Sequence, residues 1–543
     1  MTTRITSRQE KSRKEILRPT RRRCLRGVLL GLCFGLMLSL SACGSSNIDR
    51  SNTLIYGSSD YTAINPALYE HGEINLLIFA GLTAHDGDNK VVPGLAESWS
   101  YDEVTKTWTF HLREGLTFHD GEPLTSEDVK FTIEAIQNPD NGSEIQSDYR
   151  DIEKISCPDK YTVKFQLKEY NAAFLDYMTV GILPKHLLEG KDLTTDEFNQ
   201  HPVGAGPYKL TEWDEGQSIT LEKFDGYYAG EANIETIIFR IIPDSASRLL
   251  QLESGDIDMA QLTPQDAAAL AEKSDEYSIY EMETADYRAL AYNFSQGIFK
   301  EYPELSNILS YGIDRAAIVK SVLLGQGEVA YSPIQKNKYN DDSIERFEYN
   351  PSKVASLLEA AGWSKNSDGW YEKDGRELAF TISAMADDQV RVDMANMCAE
   401  QLRKLGVHAS AESVQELDWE GQDACIIGWG SPFDADLHTR KVFGTGADDN
   451  YTGYSNAAAD RALAAAACSA DDSTRQANYA EFLAAMTDQM PYTFLAYVHA
   501  DYAVRKGVSG LTANAVLGHH GVGVFWNVAD WTLEGTLEGM PEE

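Results

Sequence analysis

Residues 95–136, LAESWSYDEVTKTWTFHLREGLTFHDGEPLTSEDVKFTIEAI, decide the fold. Within this stretch, residues 107–112 alternate apolar and polar side chains, and the period of two predicts a half-buried β-strand. Thr125 and Asp128 then stand in the positions of a capping box, with Asp in place of the usual Glu or Gln, and they predict the start of a helix. A strand, a turn and a capped helix in one short segment favour a mixed α/β fold.

Similar local signals occur further along the chain. Asp244 is suited to cap a helix over residues 245–254. Pro351 is suited to begin a helix that the sequence predicts to reach residue 361, and the turn at residues 373–376 predicts a tight β-hairpin. Strands alternating with helices again indicate α/β architecture.

The composition is that of a large, acidic globular protein. The chain has 543 residues, 43% hydrophobic and 24% charged, which excludes global disorder and suggests several domain-sized units. Lys and Arg number 47 against 84 Asp and Glu, so the formal net charge is −37. Because a phosphate backbone is bound through Lys and Arg, this balance argues against nucleic acid as a partner.

The N-terminus has the pattern of a bacterial export signal. Residues 1–42 carry eight Arg and two Lys against two Glu, and residues 27–42 are uncharged and mostly apolar. That run is short for a membrane span, which needs ~20 residues. LSAC, residues 40–43, resembles the lipobox of bacterial lipoproteins, in which the cysteine is acylated. We therefore expect a signal peptide over residues 1–42, lipidation of Cys43 and a linker over residues 43–52.

The cysteines of the mature body leave two interpretations open. They are Cys157, Cys398, Cys425 and Cys468, and no pair has the close spacing typical of a metal site. Four cysteines allow three disulfide pairings, and free buried thiols are equally compatible with the sequence.

Catalytic and nucleotide-binding motifs are missing from the sequence. It contains no G-x-G-x-x-G, G-x-x-x-x-G-K-[ST], H-E-x-x-H or G-x-S-x-G pattern. His119 and Asp120 are acid–base residue types, but their surroundings, HDGEP, are typical of a turn. We therefore expect no enzymatic activity and no cofactor. A surface hydrolase is the alternative, which loss of proteolysis on mutation of one Ser or Asp would support.

Residues 95–136 also resemble family 5 of the extracellular solute-binding proteins, the peptide- and nickel-type receptors of ABC importers. Further blocks follow in the family's order: GAGPY at residues 204–208, IIPDSASRLLQLESGDIDM at 241–259 and LSYGIDRAAIV at 309–319. Residues 349–363 continue the series, which Trp526, Asn527 and Trp531 close. The resemblance covers essentially the whole mature chain.

This resemblance implies a two-lobed periplasmic-binding-protein fold, type II-like, with an extra subdomain in the first lobe. Lobe one would comprise residues 53–296, with the subdomain at about 97–205. Lobe two would comprise residues 297–505, and residues 506–543 would return to lobe one.

The hinge of such a fold consists of two strands that cross between the lobes. By resemblance these strands pass near Tyr292 and Asn293 and just after Tyr502. A ligand that touches both lobes favours the closed state, which an importer can then recognise. Tyr292 and Asn293 are therefore included among the expected ligand contacts.

The family's pocket is lined by a loop after a strand of lobe two, which here is GWGSPFDADLH, residues 428–438. The resemblance makes Trp429 a wall of the pocket. Many peptide receptors carry an Asp three residues after this Trp, which pairs with the peptide ammonium, whereas this chain has Pro432. A buried ammonium still needs a carboxylate, which Asp434 or Asp436 would supply.

Other expected contacts lie in the first lobe. Tyr61 and Tyr69 belong to the loop after the first strand, which faces the cleft in the family, and Arg150 would clamp a carboxylate bidentately. The loop pattern also resembles nickel-type receptors, which bind a metal held by a small carboxylate chelator. Such a receptor would complete the coordination with His438, His519 or His520.

The sequence thus predicts a monomeric lipoprotein, held on the extracytoplasmic face of the cell membrane, that captures short peptides for an ABC importer. Its partners would be the peptide, the permease and ATPase subunits of the importer, and the membrane through Cys43. One alternative is a receptor of the same family for nickel or another metal chelate. The other is a surface peptide-sensing or chaperone-like lipoprotein that feeds no importer.

Overall fold

The structure, a computed structural model, describes residues 50–534 apart from residues 60, 70–71, 274, 420, 513–514 and 519–522. The predicted signal peptide, Cys43 with most of the linker, and both His519 and His520 lie outside the described residues. The chain from Arg50 onward groups into one compact unit. None of the helices within the described ranges combines the length and the hydropathy that crossing a bilayer requires.

Strands and helices alternate along the chain, as the α/β prediction requires. The strands are β1 (Thr53–Ser58), β2 (Thr83–His85), β3 (Val91–Pro93), β4 (Ala96–Asp102), β5 (Thr107–Leu112), β6 (Ile152–Asp159), β7 (Thr162–Leu167), β8 (Tyr208–Asp214), β9 (Ser218–Lys223), β10 (Thr236–Ile241), β11 (Met259–Leu262), β12 (Tyr277–Tyr292), β13 (Gly327–Val329), β14 (Ser364–Lys365), β15 (Tyr371–Lys373), β16 (Arg376–Glu377), β17 (Ala379–Met385), β18 (His408–Val414), β19 (Ala424–Trp429), β20 (Tyr492–Arg505), β21 (Val508–Ser509) and β22 (Thr532–Leu533). The α-helices are Asn75–Ile78, Ser126–Gln137, Phe174–Tyr177, Lys185–Leu188, Ser245–Glu253, Pro264–Ala271, Gly297–Glu301, Leu305–Ser310, Arg315–Ser321, Pro351–Ala360, Gln389–Leu405, Asp436–Phe443, Ala457–Ala467 and Asp472–Asp488. Short 3₁₀ helices cover Pro139–Asn141, Gln146–Tyr149, Glu197–Asn199 and Val528–Asp530.

One mixed sheet runs through both halves of the described chain. Its strand order is β18-β17-β19-β12-β20-β11-β1-β10-β9-β8, with β13 added beside β20. At one end β1 runs parallel to β10 and β11, and at the other β17 runs parallel to β18 and β19. The long antiparallel pair β12 and β20 joins these two parallel groups.

Two hydrophobic cores lie along this sheet and define two lobes. On β12 the first core ends at Met282 and the second begins at Tyr287, and on β20 the second ends at Tyr497 and the first resumes at Ala500. The pairing of the two strands shifts register after Glu283, within the same interval. The strands therefore cross between the lobes at these points, where packing into either core is interrupted.

The crossing lies inside the strands rather than at the positions that the sequence analysis assigned to the hinge. Tyr292 is packed in the second core and Tyr502 in the first, so each belongs to one lobe. Val508 and Trp531 pack in the first core, which brings the described part of the C-terminal segment to lobe one.

The stretch that decides the fold forms a small unit of its own in lobe one. β4, β5, β7 and β6 make a separate sheet in that order, and Phe110 and Leu112 of β5 point into the core. The helix Ser126–Gln137 begins at the predicted capping box, in which the backbone N–H of Thr125 donates to Oδ2 of Asp128 at 2.8 Å. Asp serves here as Glu would, because its carboxylate still reaches back over one helical turn.

The other local predictions are close to the observed elements. Asp244 accepts a hydrogen bond from the backbone of Ser247 and caps the helix Ser245–Glu253, and the helix that begins at Pro351 ends at Ala360. β15 and β16 form the predicted hairpin. Of the two interpretations of the cysteines, disulfides or free thiols, the structure shows free thiols. The cysteines in the described part of the chain that form no disulfide are Cys157, Cys398, Cys425 and Cys468.

Candidate functional site

A cavity of about 500 Å³ lies between the two cores. Lobe one supplies the loop before the helix Asn75–Ile78 and residues around Tyr149 and Tyr177, and lobe two supplies Phe433 and Leu437. β12 and β20 form its floor where they cross between the lobes, through residues such as Thr284 and Ala500. The volume falls within the range of small-molecule sites, roughly 300–1,000 Å³.

The charges on the cavity wall are mostly negative. Glu73, Asp148, Asp176 and Asp286 line it, and Arg288 supplies the positive charge among the described lining residues. In a partly enclosed space of lowered dielectric, such an excess of carboxylates favours a positively charged group on the ligand. Arg288 at the same time favours a carboxylate. The wall therefore suits a zwitterion or a chelated cation.

Glu73 is fixed at the wall by two tyrosine hydroxyls. Tyr56 of β1 donates to Oε2 at 2.9 Å, and Tyr502 of β20 donates to Oε1 at 3.0 Å. Burial raises the pKa of Glu73, and the two hydrogen bonds oppose that rise because they stabilise the carboxylate. A carboxyl group is thus held in place where β20 passes the cavity.

The loop after β19 closes the cavity against lobe one. The ring of Phe433 stacks on that of His85 in β2, with centroids 3.6 Å apart and planes inclined by 8°. Nε2 of His85 lies 2.9 Å from Oδ1 of Asp176, which is itself a lining residue. Burial raises the pKa of Asp176 and the contact with His85 opposes the rise.

Two further contacts join the lobes beside this stack. Nη1 of Arg440 in lobe two lies 3.5 Å from Oδ2 of Asp151 in lobe one. The backbone N–H of Ala172 donates to the carbonyl of Ala467 at 2.9 Å. With these contacts made, the two lobes are closed on one another along this seam.

Asp434, a predicted ligand contact, is engaged within lobe two. Its carboxylate oxygens accept hydrogen bonds from Arg475 at 2.5 and 2.6 Å, and Oδ1 also accepts one from the backbone N–H of Asp436 at 2.9 Å. Asp434 does not belong to the cavity lining. Arg475 already balances the charge of Asp434, so the structure does not place this carboxylate at the ligand.

Asp436 and His438 lie on the helix Asp436–Phe443 and are also turned into lobe two. Oδ2 of Asp436 is 3.0 Å from Nη2 of Arg440, and burial raises the pKa of Asp436 to about 6 although Arg440 opposes the rise. Nε2 of His438 lies 3.2 Å from the carbonyl of Pro333. Between them Leu437 reaches the cavity, so the loop contributes an apolar surface where carboxylate and imidazole groups were expected.

Trp429, Tyr292 and Asn293 are packed inside lobe two, away from the cavity lining. Trp429 is 7% exposed and stacks on Tyr451, with centroids 6.4 Å apart. The hydroxyl of Tyr292 lies 2.7 Å from that of Thr493, and Nδ2 of Asn293 donates to the carbonyl of Gln422 at 2.9 Å. Their roles here are in the core, since these partners belong to the same lobe.

The predicted residues of lobe one are divided. Tyr69 lines the cavity, whereas Tyr61 packs edge-on against Phe239, with centroids 6.2 Å apart. Arg150 is exposed, and its neighbours Asp148 and Tyr149 line the cavity in its place.

Two charged residues of β12 that line the cavity were not among the residues predicted from the sequence. Asp286 and Arg288 lie at alternate positions of β12 and both line the cavity. The sequence feature that could have identified them is the run TADYRALAY, residues 284–292, in which an acid and a base interrupt a mostly apolar segment. Charged side chains are uncommon on the inner part of a strand, and two of them facing one cavity mark a candidate functional position.

Within the described residues, no group of three or more His, Cys, Asp or Glu side chains has an arrangement that could hold a metal ion. His438, one of the predicted metal ligands, belongs to no such group within the described part of the chain. His519 and His520 lie outside the described residues and stay a prediction.

Comparison with known proteins gives a consistent set of relatives. The family described as bacterial extracellular solute-binding proteins, family 5 Middle, matches residues 90–451. The oligopeptide-binding protein AppA of Bacillus subtilis is 30% identical, over 93% of this chain and 98% of that protein. Protein XP55 of Streptomyces lividans is 32% identical, over 86% of this chain and 87% of that protein.

Solved structures extend the similarity to three dimensions. NikZ from Campylobacter jejuni, in complex with Ni(L-His), superposes with a TM-score of 0.84 at 34% identity, covering 89% of this chain and 99% of that one. AppA from Bacillus subtilis, in complex with a nonapeptide, superposes with a TM-score of 0.79 at 29% identity, covering 89% and 98%.

Proposed function

The chain belongs to family 5 of the bacterial extracellular solute-binding proteins, the receptors of ABC importers, and from that premise we propose that it captures short peptides for import. Its place of action is extracytoplasmic. The ligand would enter between the open lobes and be enclosed as they meet, and the importer would receive it from the closed form.

The observation that carries the proposal is the cavity enclosed between the lobes, with charges of both signs on its wall. A peptide has an ammonium and a carboxylate, and a wall with Glu73, Asp286 and Arg288 offers a partner to each. The apolar surfaces of Phe433 and Leu437 suit the peptide's side chains and backbone.

The cavity volume supports a short ligand. A site of about 500 Å³ is in the lower half of the small-molecule range, which extends to roughly 1,000 Å³. AppA of Bacillus subtilis was solved with a nonapeptide. We expect this chain to prefer peptides much shorter than nine residues, because the seam between Phe433 and His85 limits the space.

A specific observation favours a second candidate, a nickel chelate. NikZ of Campylobacter jejuni, with a TM-score of 0.84, was solved with Ni(L-His). The carboxylates of Glu73, Asp148, Asp176 and Asp286 would also stabilise a chelated cation. In this reading the metal arrives already bound to its chelator and is cargo.

The membrane attachment and the partners are part of the proposal. Acylation of Cys43 would hold the monomer near its permease and raise the local concentration of loaded receptor. A peptide sensor that feeds no importer would bind peptide equally well, and only transport separates the two roles. Uptake of labelled peptide by cells with and without the receptor tests that point.

The decisive experiment combines native mass spectrometry with calorimetry. The protein is unfolded, freed of ligand, refolded and titrated with dipeptides, tripeptides, a nonapeptide, and nickel with L-histidine. We expect one bound dipeptide or tripeptide per chain and a smaller radius of gyration in solution scattering. Binding of nickel–histidine with no peptide bound would replace the first candidate by the second. Scattering that stays unchanged with every probe would contradict closure between the lobes.

A further inference from the structure

We propose that Arg288 is the anchor for a carboxylate of the bound ligand, and that the carboxylates of the same cavity wall bind the positively charged part of the same molecule. The inference rests on the proposed function and names the chemistry that the cavity selects. The ligand that the cavity selects would be a molecule with a free carboxylate beside a cationic centre.

The sheet is built to leave room for the guanidinium. Arg288 of β12 is paired in register with Gly428 of β19. A Cβ atom at position 428 would lie 2.5 Å from Nη1 of Arg288 and 3.0 Å from both its Cδ and Cζ. The side chain of Arg288 therefore lies over Gly428 of the neighbouring strand, and a larger side chain at position 428 would displace it.

The hydrogen-bonding capacity of Arg288 is largely unused by the protein. Nη1 donates to the carbonyl of Tyr287 at 3.3 Å, and the buried Nε has no acceptor. Among the described residues no carboxylate lies within ion-pair distance of this guanidinium. A guanidinium has five N–H donors in a fork that matches a carboxylate, and leaving buried donors unused is costly.

A second arginine adds to the positive potential at this wall. Arg391 is half-buried nearby, and burial followed by the charge of Arg288 lowers its pKa. Arg391 has a partner of its own, since its Nε lies 3.0 Å from Oδ2 of Asp388. The charge of Arg288 is not balanced in this way, and an incoming carboxylate would balance it.

The opposite charges lie close enough for one small molecule to meet both. Asp286 and Arg288 are two residues apart on β12, which corresponds to roughly 7 Å along an extended strand. An extended chain of two residues spans at most about 7 Å. Glu73, fixed by Tyr56 and Tyr502, adds a further carboxylate to the cavity. Either a peptide with a free C-terminus or a cation chelated by an amino acid satisfies this arrangement.

The test removes the carboxylate from the ligand and the guanidinium from the protein, separately and together. The probes are a dipeptide with a free C-terminus against its C-terminal amide, and nickel with L-histidine against nickel with histamine, which lacks the carboxylate. The proteins are the wild type, Arg288→Gln, Arg288→Lys and the control Arg461→Gln, which changes an exposed arginine on the helix Ala457–Ala467. Circular dichroism and thermal unfolding without ligand establish that each variant is folded.

We expect the wild type and Arg461→Gln to bind the carboxylate form at least about tenfold more tightly than its carboxylate-free counterpart. Arg288→Gln should abolish that preference, and Arg288→Lys should retain part of it, since an ammonium keeps the charge but loses the two-pronged geometry. The probe pair that shows the preference identifies the source of the carboxylate, peptide or chelator. A folded Arg288→Gln that keeps the full preference would overturn the inference and leave the proposed function standing. Wild type that binds none of the probes would overturn both.

Discussion

Arg475 holds both carboxylate oxygens of Asp434, with nitrogen–oxygen distances of 2.5 and 2.6 Å. Only 6% and 11% of the two side chains are exposed. The hydroxyls of Tyr339 and Tyr479 lie 3.1 and 3.3 Å from the same guanidinium. This cluster ties the loop after β19 to the helix Asp472–Asp488, and so fixes the loop that closes the cavity.

Replacement of Arg475 by Met should destabilise the protein strongly. The substitution leaves Asp434 buried without its cation, and breaking a buried pair in this way costs about 3–5 kcal/mol. Urea unfolding followed by far-UV circular dichroism measures the loss. Arg461→Met, on an exposed helix face, is the control and should stay within about 0.5 kcal/mol of wild type. An equal stability for both variants would contradict a structural role for the pair.

The sequence predicted those elements whose cause is local. The helix Ser126–Gln137 begins where Thr125 and Asp128 form a capping box, and β5 follows a period of two, so neighbouring residues determine both. The two-lobed class followed from ordered blocks spread along the chain. Neither inference required knowledge of a contact between distant residues.

The details of the site depend on distant contacts and were predicted poorly. Asp434 was expected at the ligand because of its place in the loop, but its partner Arg475 lies 41 residues further along the chain. Arg288 was not predicted, because the order of residues does not show that Gly428 lies beside it on the neighbouring strand. Sequence order alone contains no information on which acid and which base meet.

Removal of Asp151, which contacts Arg440, should weaken ligand binding although neither residue lines the cavity. Their contact of 3.5 Å joins lobe one to lobe two in the closed form. Because both side chains are partly exposed, the pair contributes roughly 0.2–1 kcal/mol, which corresponds to at most about a fivefold change in Kd. For Asp151→Asn we expect calorimetry to show weaker binding and dissociation kinetics to show that the ligand leaves faster.

The control for this seam is Asp159→Asn, in the same subdomain at the end of β6, where the side chain accepts hydrogen bonds from its own turn. It should leave the dissociation rate unchanged. An Asp151→Asn variant that matches this control in affinity and in solution scattering would contradict a role of the Asp151–Arg440 contact in holding the lobes closed.

Asp501 should make the protein more stable at mildly acidic pH than at alkaline pH. Its side chain is 1% exposed on β20, and burial, followed by the charge of Glu281, raises its pKa to about 7 against the opposing effect of His499. A carboxyl whose pKa in the folded state exceeds its unfolded value of about 3.9 is protonated in the folded state and ionised in the unfolded state between these two values. The free energy of unfolding therefore decreases as the pH rises from about 4 to 7.

Asp501→Asn removes the titration and keeps the shape. We expect the variant to be more stable than wild type above pH 7, by on the order of 1–3 kcal/mol, and the difference to shrink toward pH 4. Urea unfolding at pH 5 and pH 8 measures both values. A difference that does not change between the two would show that Asp501 does not titrate in this range.

Gly428→Ala should weaken binding through Arg288 without changing the ligand's own contacts. The added Cβ would collide with the mobile end of the arginine, which can rotate away, so we expect a stability loss of at most about 1 kcal/mol. The displaced guanidinium would no longer meet the carboxylate, and affinity for the free dipeptide should fall to that of Arg288→Gln while affinity for the amide stays constant. Because both changes act on one contact, the double variant Arg288→Gln/Gly428→Ala should bind no more weakly than either single variant. Additive losses in calorimetry would show that Gly428 acts on the ligand by a route that does not involve Arg288.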